Sequence, residues 1–223
     1  MKKVMLLTIV IGTLLAFLIF KLVYHEDINI TTIGDSLSLG YTAYETKGYS
    51  FNDYLRDYYE ENSHIEEYIT EFSSPKETSQ TLLLKLENNY SLEESNLSIT
   101  QAISKSTILT IAIGMDELNQ STKLNREEIE EYLKNMNRIL KLIRINNKKK
   151  IFLLGIYQTK KISKTYVEEI NNRLEELCQE QHIHFIDIKN LLSKKEYFFD
   201  NNSYLINYKG HKYISDKLIE ELK

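Results

Sequence analysis

Ile28-Asn29-Ile30-Thr31-Thr32-Ile33, followed directly by Gly34-Asp35-Ser36-Leu37-Ser38-Leu39-Gly40, is the stretch from which the rest of the chain is read. Its first six residues are short and rich in β-branched side chains, the composition of a buried strand. The residues that follow are small and polar, as a tight loop at a strand's C-terminal end requires. Ligands of open α/β sheets bind at that end, so Ser36 is a candidate nucleophile. A purely structural reading stands beside it. Gly34 would permit the backbone, and Asp35 and Ser36 would bond nearby N–H groups in a turn without chemistry.

Outward from this stretch, strand and helix patterns alternate. Phe51, Tyr54, Leu55 and Tyr58 fall on one helical face, and His64–Phe72 reads as a second strand. Ser74-Pro75-Lys76-Glu77 has the residue order of a helix start, with Ser as N-cap, Pro at the first position and Glu closing a capping box. Leu82, Leu83 and Leu86 would be the apolar face of that helix. Ser91-Leu92-Glu93-Glu94 is a further candidate box, and Ile99, Ala102 and Ile103 suggest a short helix. Thr107–Ile113 is apolar on both faces, which predicts a central strand. Asn125 with Glu128 opens the clearest helix, whose stripe is Ile129, Leu133, Met136, Leu140 and Ile143. Ile151–Leu154 is the next strand, and Thr165–Glu168 caps a helix with the stripe Val167, Ile170, Leu174, Leu177. Cys178 borders that stripe as a small core residue. His184–Ile188 is the last strand and Lys209–Leu222 the closing helix. Strands alternating with helices predict a parallel sheet covered on both faces, in one domain without repeats.

The N-terminus has its own signature. Lys2-Lys3 precedes Val4–Phe20, seventeen residues without a charge, and Lys21 is followed by three more apolar residues. Val4 to Tyr24 as a helix spans roughly 30 Å, enough for a bilayer core if Lys21 snorkels. The positive residues before it predict a cytoplasmic N-terminus and an outside domain. Residues 1–24 are therefore expected to be a single uncleaved membrane anchor, and 25–223 the domain. A cleaved signal peptide is the rival, but no small-x-small site follows the apolar run.

Composition narrows the function. The hydrophobic fraction of 42% and charged fraction of 27% are those of a globular protein. The net charge of −4, with acids and bases mixed, leaves no nucleic-acid footprint. One cysteine excludes an internal disulfide and a cysteine-rich metal site. Nothing in the chain asks for a metal or a cofactor.

Gly34-Asp35-Ser36-Leu37 at the end of the first strand, a later strand ending in Gly114, Gly155-Ile156-Tyr157-Gln158 after the fourth, and Asp187 ending the last together resemble the SGNH, or GDSL, hydrolase family. The resemblance covers essentially everything after the anchor. It implies a flavodoxin-like three-layer α/β/α sandwich and ester hydrolysis, often of acyl groups on lipids or polysaccharides. It implies Ser36 as nucleophile and Gly34, Asp35, Lys76, Gly114 and Asp116 as positions around the oxyanion site. Here the chain departs from the family. Gly114-Met115-Asp116-Glu117 stands where the family has G-x-N-D, so an acceptor replaces a donor. Glu71–Ser79 matches the second block with Ser73 and Lys76 in the glycine positions. Aligned on Asn207-Tyr208-Lys209-Gly210, the catalytic His position is Leu205 and its Asp partner Asn202. The other histidines do not replace it: His211 lies inside the closing helix, and His182 and His184 flank the start of the last strand.

A serine needs a base, an oriented base needs a carboxylate, and the oxyanion needs donors. With these positions changed together, the expectation is a membrane-anchored, extracytoplasmic, catalytically inactive or impaired member of that family. It would bind an envelope glycan, lipid or protein through the old cleft. The alternative is an ester hydrolase using Ser36 with a non-standard base.

Overall fold

A computed structural model describes residues 12–13, 27–121, 124–200 and 203–223. Five strands form one parallel sheet: β1 (Asp27–Gly34), β2 (His64–Ile69), β3 (Ile108–Ala112), β4 (Lys150–Leu154) and β5 (His184–Ile186), in the order β2-β1-β3-β4-β5. The helices are α1 (Ser36–Leu39), α2 (Phe51–Asn62), α3 (Ser79–Glu87), α4 (Ile99–Lys105), α5 (Met115–Gln120), α6 (Arg126–Asn146), α7 (Lys164–Gln181) and α8 (Tyr208–Leu222). α2 packs against α8, while α3, α4, α6 and α7 pack in succession with one another. These two groups make the outer layers of the three-layer sandwich. The β1 connection runs one way, to β2, and all later connections run the other way. The C-terminal ends of β1 and β3 therefore lie side by side at the topological switch point, where such sheets bind ligands.

β3 sits in the middle and is buried along its whole length, which is why Ile108–Ala112 carries no charge. α6 presents Ile129, Leu133, Met136, Leu140 and Ile143 to the core, and the Asn125 side chain accepts the Glu128 N–H at its start. Cys178 is buried on α7, and burial pushes its thiol up to about 12, so it is an inert core residue.

Several boundaries differ from the sequence expectation. Ser74-Pro75-Lys76-Glu77 does not start a helix. It is a turn closed by the Glu77 N–H to the Ser74 carbonyl at 3.2 Å, with Lys76 at φ +64°, the pattern of a type II turn with Pro at its second position. α3 starts at Ser79, capped by Thr78. Ser91–Glu94 opens no helix either; Ser91 is bridged to Ser98, and Ser98 caps α4. α7 begins one position before the expected Thr165 cap, with Ser163 as its N-cap. The second and last strands end at Ile69 and Ile186, short of Phe72 and Ile188. The span expected at 1–24 lies outside the described residues except for Gly12 and Thr13, which are helical; among the described residues no helix is long and apolar enough to cross a membrane.

Candidate active site

The loop after β1 is held from below by a buried polar network. The Asn52 amide donates to Thr32 Oγ1 at 2.9 Å and to the Ser38 carbonyl at 3.2 Å, and Thr110 Oγ1 donates to Asn52 Oδ1 at 2.6 Å. Ser38 Oγ lies 3.2 Å from the Ile33 carbonyl and 3.1 Å from that of Ala112. Gly34 is required here. It sits at φ +146°, and a Cβ would come to 1.8 Å from the Ala112 carbonyl oxygen. Its own carbonyl accepts the Ser74 N–H at 3.0 Å, so the turn at Ser74–Glu77 is docked on the same residue.

Asp35 joins the ends of the two central strands. Its Oδ1 accepts the Leu37 N–H at 3.0 Å, capping α1, and its Oδ2 accepts the N–H groups of Gly114 at 3.0 Å and Asp116 at 3.1 Å. Burial, with the Asp116 carboxylate close by, holds the Asp35 pKa well above the ordinary carboxylate range.

Asp116 is the centre of the site. Its Oδ2 accepts three bonds: the Ser36 hydroxyl at 2.5 Å, the Ser36 N–H at 3.1 Å and the Lys76 N–H at 2.7 Å. Its Oδ1 accepts the Tyr204 hydroxyl at 2.8 Å. The residue is 0% exposed and Ser36 only 3%, so their contact is a buried one. Beside it, Glu117 accepts the Ser79 N–H at 2.7 Å and the Ser79 hydroxyl at 2.9 Å. Burial raises the Glu117 pKa, and the two adjacent acids together pin the 74–79 segment to α5.

The structure thus brings Ser36, Lys76 and Asp116 into direct contact, with Gly34, Asp35 and Gly114 as their scaffold. Lys76 contributes its backbone N–H from a turn, not from a helix N-terminus, while its side chain is exposed. Leu205 is half-buried, and its N–H bonds to Ser203 Oγ at 2.9 Å. Asn202 lies outside the described residues. Tyr204 is the group from this segment that reaches the site, and sequence reasoning missed it. Its one signal was adjacency to Leu205. Burial, and then Asp116, raise its pKa.

No imidazole serves Ser36 among the described residues. His64 and His184 begin β2 and β5, and His182 ends α7, all at the opposite end of the sheet. His211 is buried, and its Nδ1 accepts the Phe51 N–H at 3.2 Å at the start of α2. Burial lowers its pKa to about 3, so the ring is neutral and structural. Its buried position on the helix face agrees with the packed role expected of it.

The model for GDSL-like lipase/acylhydrolases matches residues 30–218, which includes every element just described. The chain belongs to this family. The GDSL-like domain is also similar in fold to solved structures of low identity. An esterase from Pseudoalteromonas sp., inhibited by monoethylphosphonate, is 20% identical with a TM-score of 0.63, over 88% of this chain and 97% of that one. A lipase/acylhydrolase from Enterococcus faecalis is 14% identical with a TM-score of 0.64, over 87% and 95%. A family two carbohydrate esterase from Clostridium thermocellum, seen as an active-site mutant, is 14% identical with a TM-score of 0.65, over 89% and 64%. No curated protein matches the sequence.

Proposed function

We propose that this GDSL-like domain is a non-catalytic or strongly impaired member of its family that binds a cell-envelope ligand through the cleft its relatives use for ester hydrolysis. The observation that carries the reading is the position of Asp116 Oδ2, which accepts the Ser36 N–H, the Lys76 N–H and the Ser36 hydroxyl at once. Acyl transfer needs donors aimed at a developing oxyanion and a base that takes the serine proton. A fixed carboxylate on those donors would repel a second negative charge at the same point. Loss of one such donor in an active enzyme typically costs about 3 kcal/mol of barrier. The His211 lone pair is engaged by Phe51 and supplies no base. The uncharged run Val4–Phe20 after Lys2-Lys3 supports a single-pass anchor with the domain on the outer face of the membrane.

The rival reading is an ester hydrolase in which Asp116 serves as base for Ser36, and their 2.5 Å contact is what favours it. The full chain, in detergent, separates the two. It is treated with a fluorophosphonate probe and a short-chain aryl ester beside Ser36→Ala and Asp116→Asn. The expected outcome is no labelling or turnover above the Ser36→Ala level. Labelling that vanishes in Ser36→Ala would establish the hydrolase, and its further loss in Asp116→Asn would make the carboxylate the base.

A further inference from the structure

Tyr204, which bonds to Asp116, also lines a cavity of about 940 Å³. Its walls come from the loop after β4, the end of α5, and Lys195, Phe198, Asp200, Ser203 and Tyr204. Its size admits a ligand of one or two sugar units, and three features describe its chemistry. Lys160, Lys161 and Lys195 line it together with Asp200, whose Oδ1 accepts the Ser203 N–H at 2.8 Å. Ser163, the N-cap of the eighteen-residue α7, also lines it, so the positive end of that helix borders the same space. Phe198 and the Tyr204 ring supply an apolar wall, and Gln158 and Ser203 offer amide and hydroxyl groups.

We infer that this cavity binds a hydroxyl-bearing organic anion, with a phosphate or carboxylate group held by Lys161 and Lys195 and its body against Phe198 and Tyr204. The inference names the ligand class for the binding role proposed above and rests on that reading. Lysines on two of its walls and a helix N-terminus at its border favour an anion over a neutral sugar. The aromatic wall selects an organic ligand over a bare inorganic anion. Tyr204 is shared by the cavity and the Asp116 site, so an occupant touches the residue that holds Asp116 in place.

The test titrates the full chain in detergent with glucose 6-phosphate, glucuronate, glucose and inorganic phosphate, read by calorimetry at low and high salt. One or both anionic sugars should bind saturably, and which one binds identifies the charged group. Glucose should bind at least tenfold more weakly. Affinity should fall with salt and drop tenfold or more in Lys161→Glu/Lys195→Glu, whose exposed positions leave the melting temperature unchanged. Equal binding of glucose, equal binding of inorganic phosphate, no binding at all, or indifference to the double reversal would each overturn the inference. An aryl-ester assay on the same samples keeps the two claims apart. Anion binding together with Ser36-dependent turnover removes the non-catalytic reading and leaves the cavity assignment. Neither activity nor binding does the reverse.

Discussion

The turn at Ser74–Glu77 and the loop at Gly114–Glu117 both carry a residue their family does not use, and the consequences are opposite. Lys76 matches a family glycine in the sequence, and its backbone has a positive φ with its N–H on Asp116. Asp116 matches a family asparagine in the sequence, and its carboxylate accepts where an amide would donate. A donor supplied by the main chain survives a change of residue as long as the backbone shape survives. A donor supplied by a side chain has no such protection. The lesson is that the geometry of the cleft is written in the backbone and its chemistry in a few side-chain atoms, and the two can be lost separately.

A change that attacks the geometry should therefore do the greatest damage. Gly34 touches both regions, through its carbonyl to Ser74 and its close approach to Ala112. Gly34→Ala should destabilise the domain by more than about 4 kcal/mol, read by chemical denaturation, since the clash is with backbone. A loss under about 1 kcal/mol would break the comparison, because the loop would then tolerate a different shape.

Side chains buried away from the site should report on folding, and His211 offers the check. Its folded pKa of about 3 lies below the unfolded value near 6.5. Between those values the unfolded chain binds a proton that the folded chain refuses, so stability falls as pH drops through that window. The full effect at the acid end is about 5 kcal/mol. Asp35, with its raised pKa, acts in the opposite sense, gaining relative stability as pH falls through the raised value toward the ordinary carboxylate range. The readout is therefore the difference between the chain and His211→Leu. The variant should be less stable at pH 7, having lost the Phe51 bond, and its stability should change less between pH 6.5 and 3.

The smallest effect is expected at the turn. Lys76→Gly relieves the positive φ while keeping the N–H, so stability should rise or hold within about 1 kcal/mol. Lys76→Pro removes the N–H and forbids the φ, and should lose about 2 kcal/mol or more. If both behave alike in thermal melts, the main-chain account of Lys76 fails.

These contrasts also explain what could be read from the sequence. The strands and the Asn125 cap are legible because period and capping residues act locally. The GDSL loop is legible for the same reason, since strand and turn chemistry are adjacent in the chain. Ser74-Pro75-Lys76-Glu77 misleads because the same residues suit two structures. Ser74 Oγ does bond to Glu77 Oε2 at 2.5 Å, as a capping box leads one to expect, but the chain turns there and the helix waits for Thr78. The sequence shows that Asp116 cannot donate. That its carboxylate would accept from Ser36 and Lys76 depends on residues forty and eighty positions away, which no local pattern encodes. Tyr204 is hidden for the same reason.

The Asp116 carboxylate has a wider consequence. With its negative oxygen on the Ser36 and Lys76 N–H groups, it resembles a transition-state analogue that is covalently part of the chain. Two backbone N–H groups that the family resemblance places at an oxyanion site here point at a side chain of the protein itself. On the proposed reading, an interaction that accelerates a reaction in an enzyme becomes a contribution to holding the loop after β1 and the 74–77 turn against α5. On the proposed reading, stability and turnover draw on the same few N–H groups, and this chain uses them for stability.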